Sequence, residues 1–488
     1  MNFNSFRYYV FLPAALLLYY ILPAKWRNPV LLALSYYFYM CWNPRYALLI
    51  LTSTIVTYAC ALLMEKRAWG GRRLWLAASF AINLLILFFF KYFNFASELM
   101  TRVLTAFSFS ASLPTLNFLL PVGISFYTFQ ALGYTMDVYR GDVATEKNFI
   151  DYALFVSFFP QLVAGPIERS KNLLPQLKPK HSFSMERVFE GLLLCLWGLF
   201  KKLVIADRIA VIVNFAFTAP PGQVGGYQYA AAAAAFSIQI YCDFSAYSDI
   251  ARGSARMLGF ELMRNFDAPY LAASIKDFWR RWHISLSTWF RDYLYFPLGG
   301  SRSIPAYRMY LNLMIVFLVS GMWHGAALTF FVWGFLHGAF QIISKVTASL
   351  RAKLRAAMRI SATNRLWAVG RVLFNFTLVT AAFVFFRAGS VSHALYILKT
   401  ILLSPWAGLR HTGITQMGLE VEYLVIVFVA TVALFIVDAV SRTRDLPKLI
   451  TRGFALKYAV YFVLLALILI FGYYGADFDP QDFIYFQF

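Results

Sequence analysis

His324 is the residue whose type and position point most directly to chemistry. It lies in LVSGMWHG, residues 318–325, where Gly321 and Gly325 flank the pair Trp323–His324. The surrounding 36 residues, 309–344, contain no Asp, Glu, Lys or Arg. An imidazole is costly in such apolar surroundings, so it is a candidate for a functional site, with a packing role as the alternative.

A second histidine, His283, lies in a segment that combines basic and aromatic residues. The segment is IKDFWRRWHISLSTWFRDYLYFPLGG, residues 275–300, and it contains Arg280, Arg281 and Arg291. Aromatic rings and arginine stems together are typical of a segment in the membrane interface. Such segments often anchor a protein without any chemistry, so the residues alone leave both interpretations open.

Carboxylates interrupt apolar segments elsewhere. Asp243 lies in IQIYCDFSAYSDIARG, residues 238–253, with Asp249 nearer the cytoplasmic end. Intramembrane carboxylates usually face a cavity or a cationic partner. Similar interruptions occur within residues 188–218, at Lys201, Lys202, Asp207 and Arg208. Either these groups pair inside the membrane or the segment 188–218 does not cross it.

Composition excludes a soluble protein. The chain has 488 residues, of which 60% are hydrophobic, 19% aromatic and 14% charged, and its mean hydropathy is +0.61. These values predict an all-α, polytopic integral membrane protein. Long hydrophilic stretches are lacking, which favours a single membrane-embedded domain over residues 1–488.

The net charge of +21 is explained by the positive-inside rule rather than by nucleic-acid binding. Basic residues concentrate in loops that we place in the cytoplasm: Lys25–Arg27, Lys66–Arg73, Arg169–Arg187, Arg252–Arg308, Lys345–Arg371 and Arg442–Lys457. Stretches poor in Lys and Arg, such as 96–116, 218–227 and 476–488, are placed outside.

These loops predict ten crossings with both termini outside. The crossings are 8–22, 28–43, 46–64, 74–95, 117–138, 188–218, 228–250, 372–386, 421–440 and 458–475. Two further apolar segments have basic loops at both ends, so each should enter and leave on the cytoplasmic side. The first, Phe149–Pro166, contains helix-breaking Pro160, Gly165 and Pro166, and broken backbone at membrane depth must be buried in protein or hydrated.

The second re-entrant segment is Met309–Ser344, with His324 at its apex. A helix from Arg308 to His324 rises about 24 Å, and one from His324 to Lys345 about 32 Å, against a hydrocarbon core of about 30 Å. His324 should therefore lie in the middle or far half of the membrane. Glycines four residues apart, at 321 and 325 and at 334 and 338, favour close helix packing.

Cysteine spacing excludes two further kinds of site. The four cysteines, Cys41, Cys60, Cys195 and Cys242, lie in apolar runs without a Cys-x-x-Cys pair or a histidine at ligand spacing. The sequence therefore predicts neither a disulfide framework nor a metal site.

Two motifs carry a resemblance to a known family. FWRRWHISLSTWFRDYLYFPLGG (278–300) and SGMWHGAALTFFVWGFLHG (320–338) resemble the membrane-bound O-acyltransferase family, specifically its bacterial branch that serves alginate-like polysaccharides. Further similar stretches are PVGISFYTFQALGYTMDVYRG (121–141), FFPQLVAGPIERS (158–170) and YCDFSAYSDIARG (241–253). The resemblance implies N-terminal spans in 1–116, a core with both histidines in 117–345, C-terminal spans in 346–488, and a central tunnel.

The resemblance also implies roles for the site residues. His324 corresponds to the family's active-site histidine, and a neutral imidazole there can accept a proton from an attacking hydroxyl. His283 corresponds to the second family histidine and is expected to orient the donor or assist the departing thiolate. Arg280, Arg281 and Arg291 offer charge to the phosphates of a donor such as acetyl-CoA. Trp323 and Asp243 complete the predicted substrate-binding residues, whereas His337 is interpreted as structural.

The expected function is transfer of acetyl groups from a cytoplasmic donor across the bacterial inner membrane, for O-acetylation of an extracytoplasmic polysaccharide. The resemblance implies a periplasmic acetyltransferase of the SGNH-hydrolase type as partner; membrane lipids surround the chain, and no permanently bound cofactor or nucleic acid is expected. Alternatives with the same fold are peptidoglycan O-acetylation and D-alanyl transfer to teichoic acid. An alternative of another class is a transporter without acyl chemistry.

Overall fold

The structure is a computed structural model that describes residues 1–66, 69–109, 113–116, 120–301, 304–361, 363–406, 413, 417–444, 446–475 and 483–484. All regular elements within these residues are helices, which confirms the all-α prediction. The chain forms two compact units. Unit 1 comprises residues 1–195 and 247–263, and unit 2 comprises residues 196–246 and 264–488.

Unit 1 contains the N-terminal helices. They are α1 (Phe6–Ile21), α2 (Ala24–Met40), α3 (Ala47–Glu65), α4 (Trp69–Leu87), α5 (Phe93–Ala106), α6 (Ile124–Arg140), α7 (Phe149–Ser157), α8 (Phe159–Leu162), α9 (Ser170–Leu177) and most of α10 (Met185–Phe200). A π-helical segment, Phe88–Tyr92, joins α4 to α5 without a break.

Unit 2 contains the remaining helices. They are α11 (Asp207–Thr218), the first part of α12 (Gly226–Leu258), α13 (Ile275–Arg281), α14 (Ile284–Phe290), α15 (Ala306–His324), α16 (Leu328–Val346), α17 (Ala348–Ala357), α18 (Arg365–Arg387), α19 (Val391–Leu403), α20 (Val421–Ser441), α21 (Leu446–Arg452) and α22 (Phe454–Phe471). The last residues of α12 belong to unit 1.

Six helical segments in the described part of the chain are long and apolar enough to cross a membrane. They are Pro44–Glu65, Gly70–Ala106, Ala306–His324, Arg365–Arg387, Val421–Ser441 and Phe454–Phe471. Large apolar side chains stay exposed on them, such as Phe428 and Phe462 at 69% and 74%. Because such surfaces need a hydrocarbon environment, the structure supports a multi-pass membrane protein.

The predicted crossings coincide with helices, with differences at their ends. The segment 188–218 is helical throughout, because a buried π-helical segment, Lys201–Ala206, joins α10 to α11. The crossing predicted at 117–138 begins as a helix only at Ile124, and residues 117–119 lie outside the described residues. The sequence interpretation missed α19 altogether and treated α17 as loop.

The apolar segment Phe149–Pro166 in unit 1 contains the helix break that the sequence predicts. Helix α7 ends at Ser157, and α8 begins at Phe159 with Pro160 in its first turn. The side-chain amides of Gln130 and Gln161 both donate to the carbonyl oxygen of Phe155, at 2.5 Å and 2.8 Å. These bonds replace the helical partner that the carbonyl loses at the break.

Helices α15 and α16 form the predicted hairpin, with its turn directly after His324. Gly321 and Gly334 lie at its tightest point. A Cβ at Gly321 would collide with the carbonyl oxygen of Phe330, and one at Gly334 with that of Phe317. The glycines therefore permit the backbones to approach closely, as their spacing predicts.

Candidate active site

His283 lies at the corner between α13 and α14 in unit 2. Its backbone is left-handed, with φ of 43°, a conformation in which histidine is more common than most residues. Two bonds from Asn265 stabilise the corner: its carbonyl oxygen accepts from the Ile284 N–H at 2.9 Å, and its side-chain oxygen from the Ser285 N–H at 3.3 Å. These bonds hold the backbone immediately after His283 and so stabilise the corner on which the imidazole is placed.

His324 is the last residue of α15, and Gly325 after it is extended. A side chain at Gly325 would collide with the ring of Phe330, so glycine is required for the hairpin turn. Only 3% of the His324 surface is exposed. The turn thus places this imidazole at the end of a helix and inside the protein.

The structure brings the two motif histidines together. Their ring centroids are 6.5 Å apart, although 41 positions separate them in the sequence. Aromatic rings surround the pair: Trp323, Trp333 and Phe386 lie 5.0, 5.0 and 5.3 Å from His324, and Phe244 lies 4.6 Å from His283. We name these six residues the histidine pocket.

Apolar walls favour neutral imidazoles. His283 is fully buried, and desolvation by burial lowers its pKa to about 3. Its ring is therefore neutral at physiological pH, with one donor and one acceptor nitrogen. The aromatic lining of the histidine pocket favours chemistry in which an imidazole begins in its neutral form.

His337 lies elsewhere on α16, in a packed environment. The indole N–H of Trp279 donates to its Nδ1 at 3.2 Å. The rings of Trp333 and Phe278 lie 4.8 Å and 6.3 Å away. These contacts agree with the structural interpretation made from the sequence.

The three predicted arginines fall into two groups. Arg280 and Arg291 are exposed and line a cavity of about 440 Å³. The cavity is also lined by Lys276 and, among its polar residues, by Ser287, Thr288, Ser320 and Gln341. Arg281 does not line this cavity, and its Nε lies 3.0 Å from Asp277. Arg291 lines the cavity and also forms an ion pair, with its Nε 2.8 Å from Asp292. The cavity thus joins two of the arginines to Ser320, which is four residues before His324.

Asp243 belongs to a buried ionic cluster. Lys202 Nζ lies 2.8 Å from Asp243 and 2.8 Å from Asp207, and all three side chains are at most 4% exposed. The backbone N–H of Ile484 donates to the second carboxylate oxygen of Asp243 at 2.7 Å. The pairing interpretation is therefore confirmed for Lys202 and Asp207, which pair within this cluster. Lys201 donates to Ser245 and Arg208 to the carbonyl oxygen of Phe471 instead, and substrate binding by Asp243 stays a prediction.

Several residues around the histidines carry no recognisable signal in the sequence. Asn265 lies in a loop with no motif, and Phe386 is one of 50 phenylalanines. Their importance comes from tertiary contacts with His283 and His324. No group of three potential metal ligands occurs in the part of the chain that the structure describes, and the cysteines there are free thiols.

Comparison with known proteins places the chain. Residues 36–386 match the membrane-bound O-acyltransferase family. A probable alginate O-acetylase of Azotobacter vinelandii is 39% identical over 79% of this chain and 74% of its own. The peptidoglycan O-acetyltransferase of Helicobacter pylori is 36% identical over 80% and 77%. The teichoic acid D-alanyltransferase of Bacillus subtilis is 27% identical over 46% and 58%.

This family match covers both histidine motifs and confirms the resemblance on which the enzyme prediction depends. The chain therefore belongs to the membrane-bound O-acyltransferase family and is a multi-pass membrane O-acyltransferase.

Proposed function

We propose that the chain passes acetyl groups from acetyl-CoA in the cytoplasm to an extracytoplasmic, alginate-like polysaccharide, from a location in the bacterial inner membrane. The observation that carries the proposal is the pair of buried histidines with ring centroids 6.5 Å apart. It is supported by the alginate O-acetylase name of relatives that are 39% and 37% identical to this chain.

His324 acts as the general base. It takes the proton of an acceptor hydroxyl while the hydroxyl oxygen attacks the carbonyl carbon of the acetyl thioester. The new C–O bond forms, the C–S bond breaks, and the departing thiolate recovers the proton from His324. General acid–base catalysis of this kind contributes about 10²–10⁴-fold to a rate.

His283 orients the thioester from the opposite side of the histidine pocket. Its fixed left-handed backbone limits the directions in which the ring can lie, and positioning of this kind lowers the entropic part of a barrier. Trp323 contributes to the wall, with its ring 5.9 Å from His283.

The donor enters through the cavity lined by Arg280 and Arg291. Coenzyme A carries phosphates, and guanidinium groups bind phosphate oxygens in pairs of charge-assisted hydrogen bonds. Lys276 adds a third cation at the same cavity. Ser320 lines the same cavity one helical turn before His324, which favours this cavity as the entrance for the donor.

The acceptor side requires a partner. We assign delivery to the polymer to a periplasmic acetyltransferase of the SGNH-hydrolase type. This assignment rests on the family resemblance. Deletion of the partner gene tests it directly. Loss of polymer acetylation on deletion of the partner, with normal thioester consumption by the purified membrane protein, would support it.

Purified full-length protein in lipid nanodiscs, with radiolabelled acetyl-CoA and an alginate oligosaccharide as the hydroxyl acceptor, tests the reaction. We expect thioester consumption by the wild type and a loss of at least 100-fold in His324→Gln. His393→Gln is the matched control, because it changes a histidine of the same unit outside the histidine pocket. Full activity of a correctly inserted His324→Gln protein would overturn the proposed role.

Peptidoglycan O-acetylation is the second candidate, favoured by the Helicobacter pylori relative. The two candidates differ in the acceptor rather than in the chemistry of the histidines. Acetyl content measured separately in exopolysaccharide and in peptidoglycan of a deletion strain distinguishes them. Loss confined to peptidoglycan would replace the alginate-like acceptor, and loss of D-alanyl esters would favour the third relative's activity.

A further inference from the structure

A second cavity in unit 2 lies away from the histidine pocket. It has a volume of about 1060 Å³ and is bounded by α16, α17, α18 and residues 273–275. Ligand pockets commonly measure about 300–1,000 Å³. The cavity therefore has room for an amphiphile much larger than a free inorganic anion.

One side of this cavity is strongly basic. Arg351, Arg355 and Arg371 line it, and none of its lining residues is acidic. None of these arginines forms an ion pair with a carboxylate in the described part of the chain; Arg351 donates to Ser344 Oγ at 3.2 Å, and Arg371 to the carbonyl oxygen of Ala273 at 3.1 Å. The cavity thus presents positive charge without internal compensation.

The wider sequence keeps this region free of negative charge. From Tyr293 through Leu419 there is no Asp or Glu, whereas seven Lys or Arg residues lie from Lys345 to Arg371. Basic segments of this kind next to membrane spans attract anionic lipid headgroups. The charge pattern therefore favours an anionic ligand at the membrane surface.

Large apolar side chains form much of the remaining wall, beside the neutral polar residues Ser274, Ser344, Thr347, Asn364 and Asn375. The apolar side chains include Phe340, Leu366, Trp367, Phe374 and Leu378. Helix α17 adds an amphipathic surface, with Leu350, Leu354 and Met358 at 57%, 51% and 54% exposure along one stripe. A basic helix with an exposed apolar stripe lies in the membrane interface.

We propose that this cavity binds one phospholipid with an anionic headgroup, its phosphate between Arg351, Arg355 and Arg371 and its acyl chains along α18. The cationic rim and apolar wall match the two parts of such a molecule. This site is independent of the proposed donor and acceptor.

The site also bears on the histidine pocket through α16. Phe340 and Ser344 line the lipid cavity, and Trp333 on the same helix contacts the ring of His324. A lipid that fixes the C-terminal half of α16 also stabilises the wall of the pocket. Lipid occupancy is therefore expected to raise the thermal stability of unit 2.

Native mass spectrometry of the detergent-purified full chain tests the proposal. Three probes are compared: dioleoyl phosphatidylglycerol, dioleoyl phosphatidylcholine and inorganic phosphate. We expect one tightly retained phosphatidylglycerol per chain and weaker retention of phosphatidylcholine. Equal retention of the two lipids, or equal protection against thermal unfolding by inorganic phosphate, would overturn the assignment to an anionic lipid.

A triple arginine variant and a control with the same change of charge test the location of the site. The triple change Arg351→Gln, Arg355→Gln and Arg371→Gln should weaken phosphatidylglycerol binding about 100-fold. The control, Lys353→Gln, Arg359→Gln and Arg365→Gln, removes the same charge from residues that do not line the cavity. An equal loss in both would show that general surface charge, rather than this cavity, retains the lipid.

Gly370→Trp provides a test without a change of charge. Gly370 lines the cavity, and a Cβ there meets nothing within 4 Å, so the backbone tolerates a side chain. An indole at this position fills part of the apolar wall. We expect at least a tenfold loss of retained phosphatidylglycerol with thermal stability intact in lipid-free detergent, and unchanged retention would overturn the proposed location.

Discussion

Unit 2 contains two buried polar groups of opposite character. In the ionic cluster of Lys202, Asp207 and Asp243, each carboxylate lies 2.8 Å from the ammonium group. In the histidine pocket, His283 and His324 are surrounded by aromatic rings. Both groups consist of polar residues within apolar sequence, so the sequence alone does not distinguish them.

The difference bears on how each group is expected to respond to mutation. Charges removed from water are tolerated when they are paired and hydrogen-bonded, and the ionic cluster satisfies its members in this way. A neutral imidazole costs less to bury and keeps its capacity to accept a proton. The ionic cluster should therefore respond to mutation through stability, and the histidine pocket through rate.

The largest expected effect separates the two groups by rate. His324→Gln should lower the acyl-transfer rate by about 10²–10⁴-fold, because Gln cannot accept the hydroxyl proton. Its thermal unfolding temperature in nanodiscs should remain close to that of the wild type. An enzyme assay and thermal unfolding of the same preparation measure both quantities. If the variant lost stability together with activity, His324 would behave like the ionic cluster and the proposed difference would be wrong.

The next effect concerns stability. Lys202→Met leaves two buried carboxylates without their shared cation and should lower the unfolding free energy by about 3–5 kcal/mol. Adding Asp207→Asn and Asp243→Asn should restore part of that loss, since the carboxylate charges are then removed as well. Thermal unfolding of the single and triple variants measures this. A triple variant no more stable than Lys202→Met would contradict the pairing argument.

A smaller effect concerns donor binding. Arg280→Gln with Arg291→Gln should raise the KM for acetyl-CoA about tenfold with a smaller change in kcat, because in the proposed function each arginine makes a charge-assisted contact to phosphate. Arg359→Gln with Arg365→Gln is the matched control for net charge. Steady-state kinetics at fixed ionic strength give the KM of both double variants. An equal rise in KM would show that net surface charge, rather than these two arginines, affects donor binding.

The sequence predicted the helices and the hairpin for physical reasons that are local, whereas the roles of the two histidines rest on the family resemblance. Apolar runs, basic loops and glycines at spacing four are legible without tertiary information. Long-range pairing is not, which is why Lys202 remained undecided between an ion pair and a misplaced span. Asn265 was missed because its bonds to the corner at His283 depend on a loop conformation that no motif encodes.

The smallest expected effect tests whether His337 belongs to packing rather than to the chemistry of the histidine pocket. The hydrogen bond from the Trp279 indole to His337 should contribute about 1 kcal/mol, the usual net value for a neutral buried pair. A double-mutant cycle with Trp279→Phe and His337→Leu isolates that coupling in thermal unfolding free energy. His337→Leu should retain acyl-transfer activity within about threefold, since its ring accepts from an indole and is not needed for proton transfer. If His337→Leu lost as much activity as His324→Gln, His337 would take part in acyl transfer. It would then be grouped with His283 and His324 rather than with residues that serve packing.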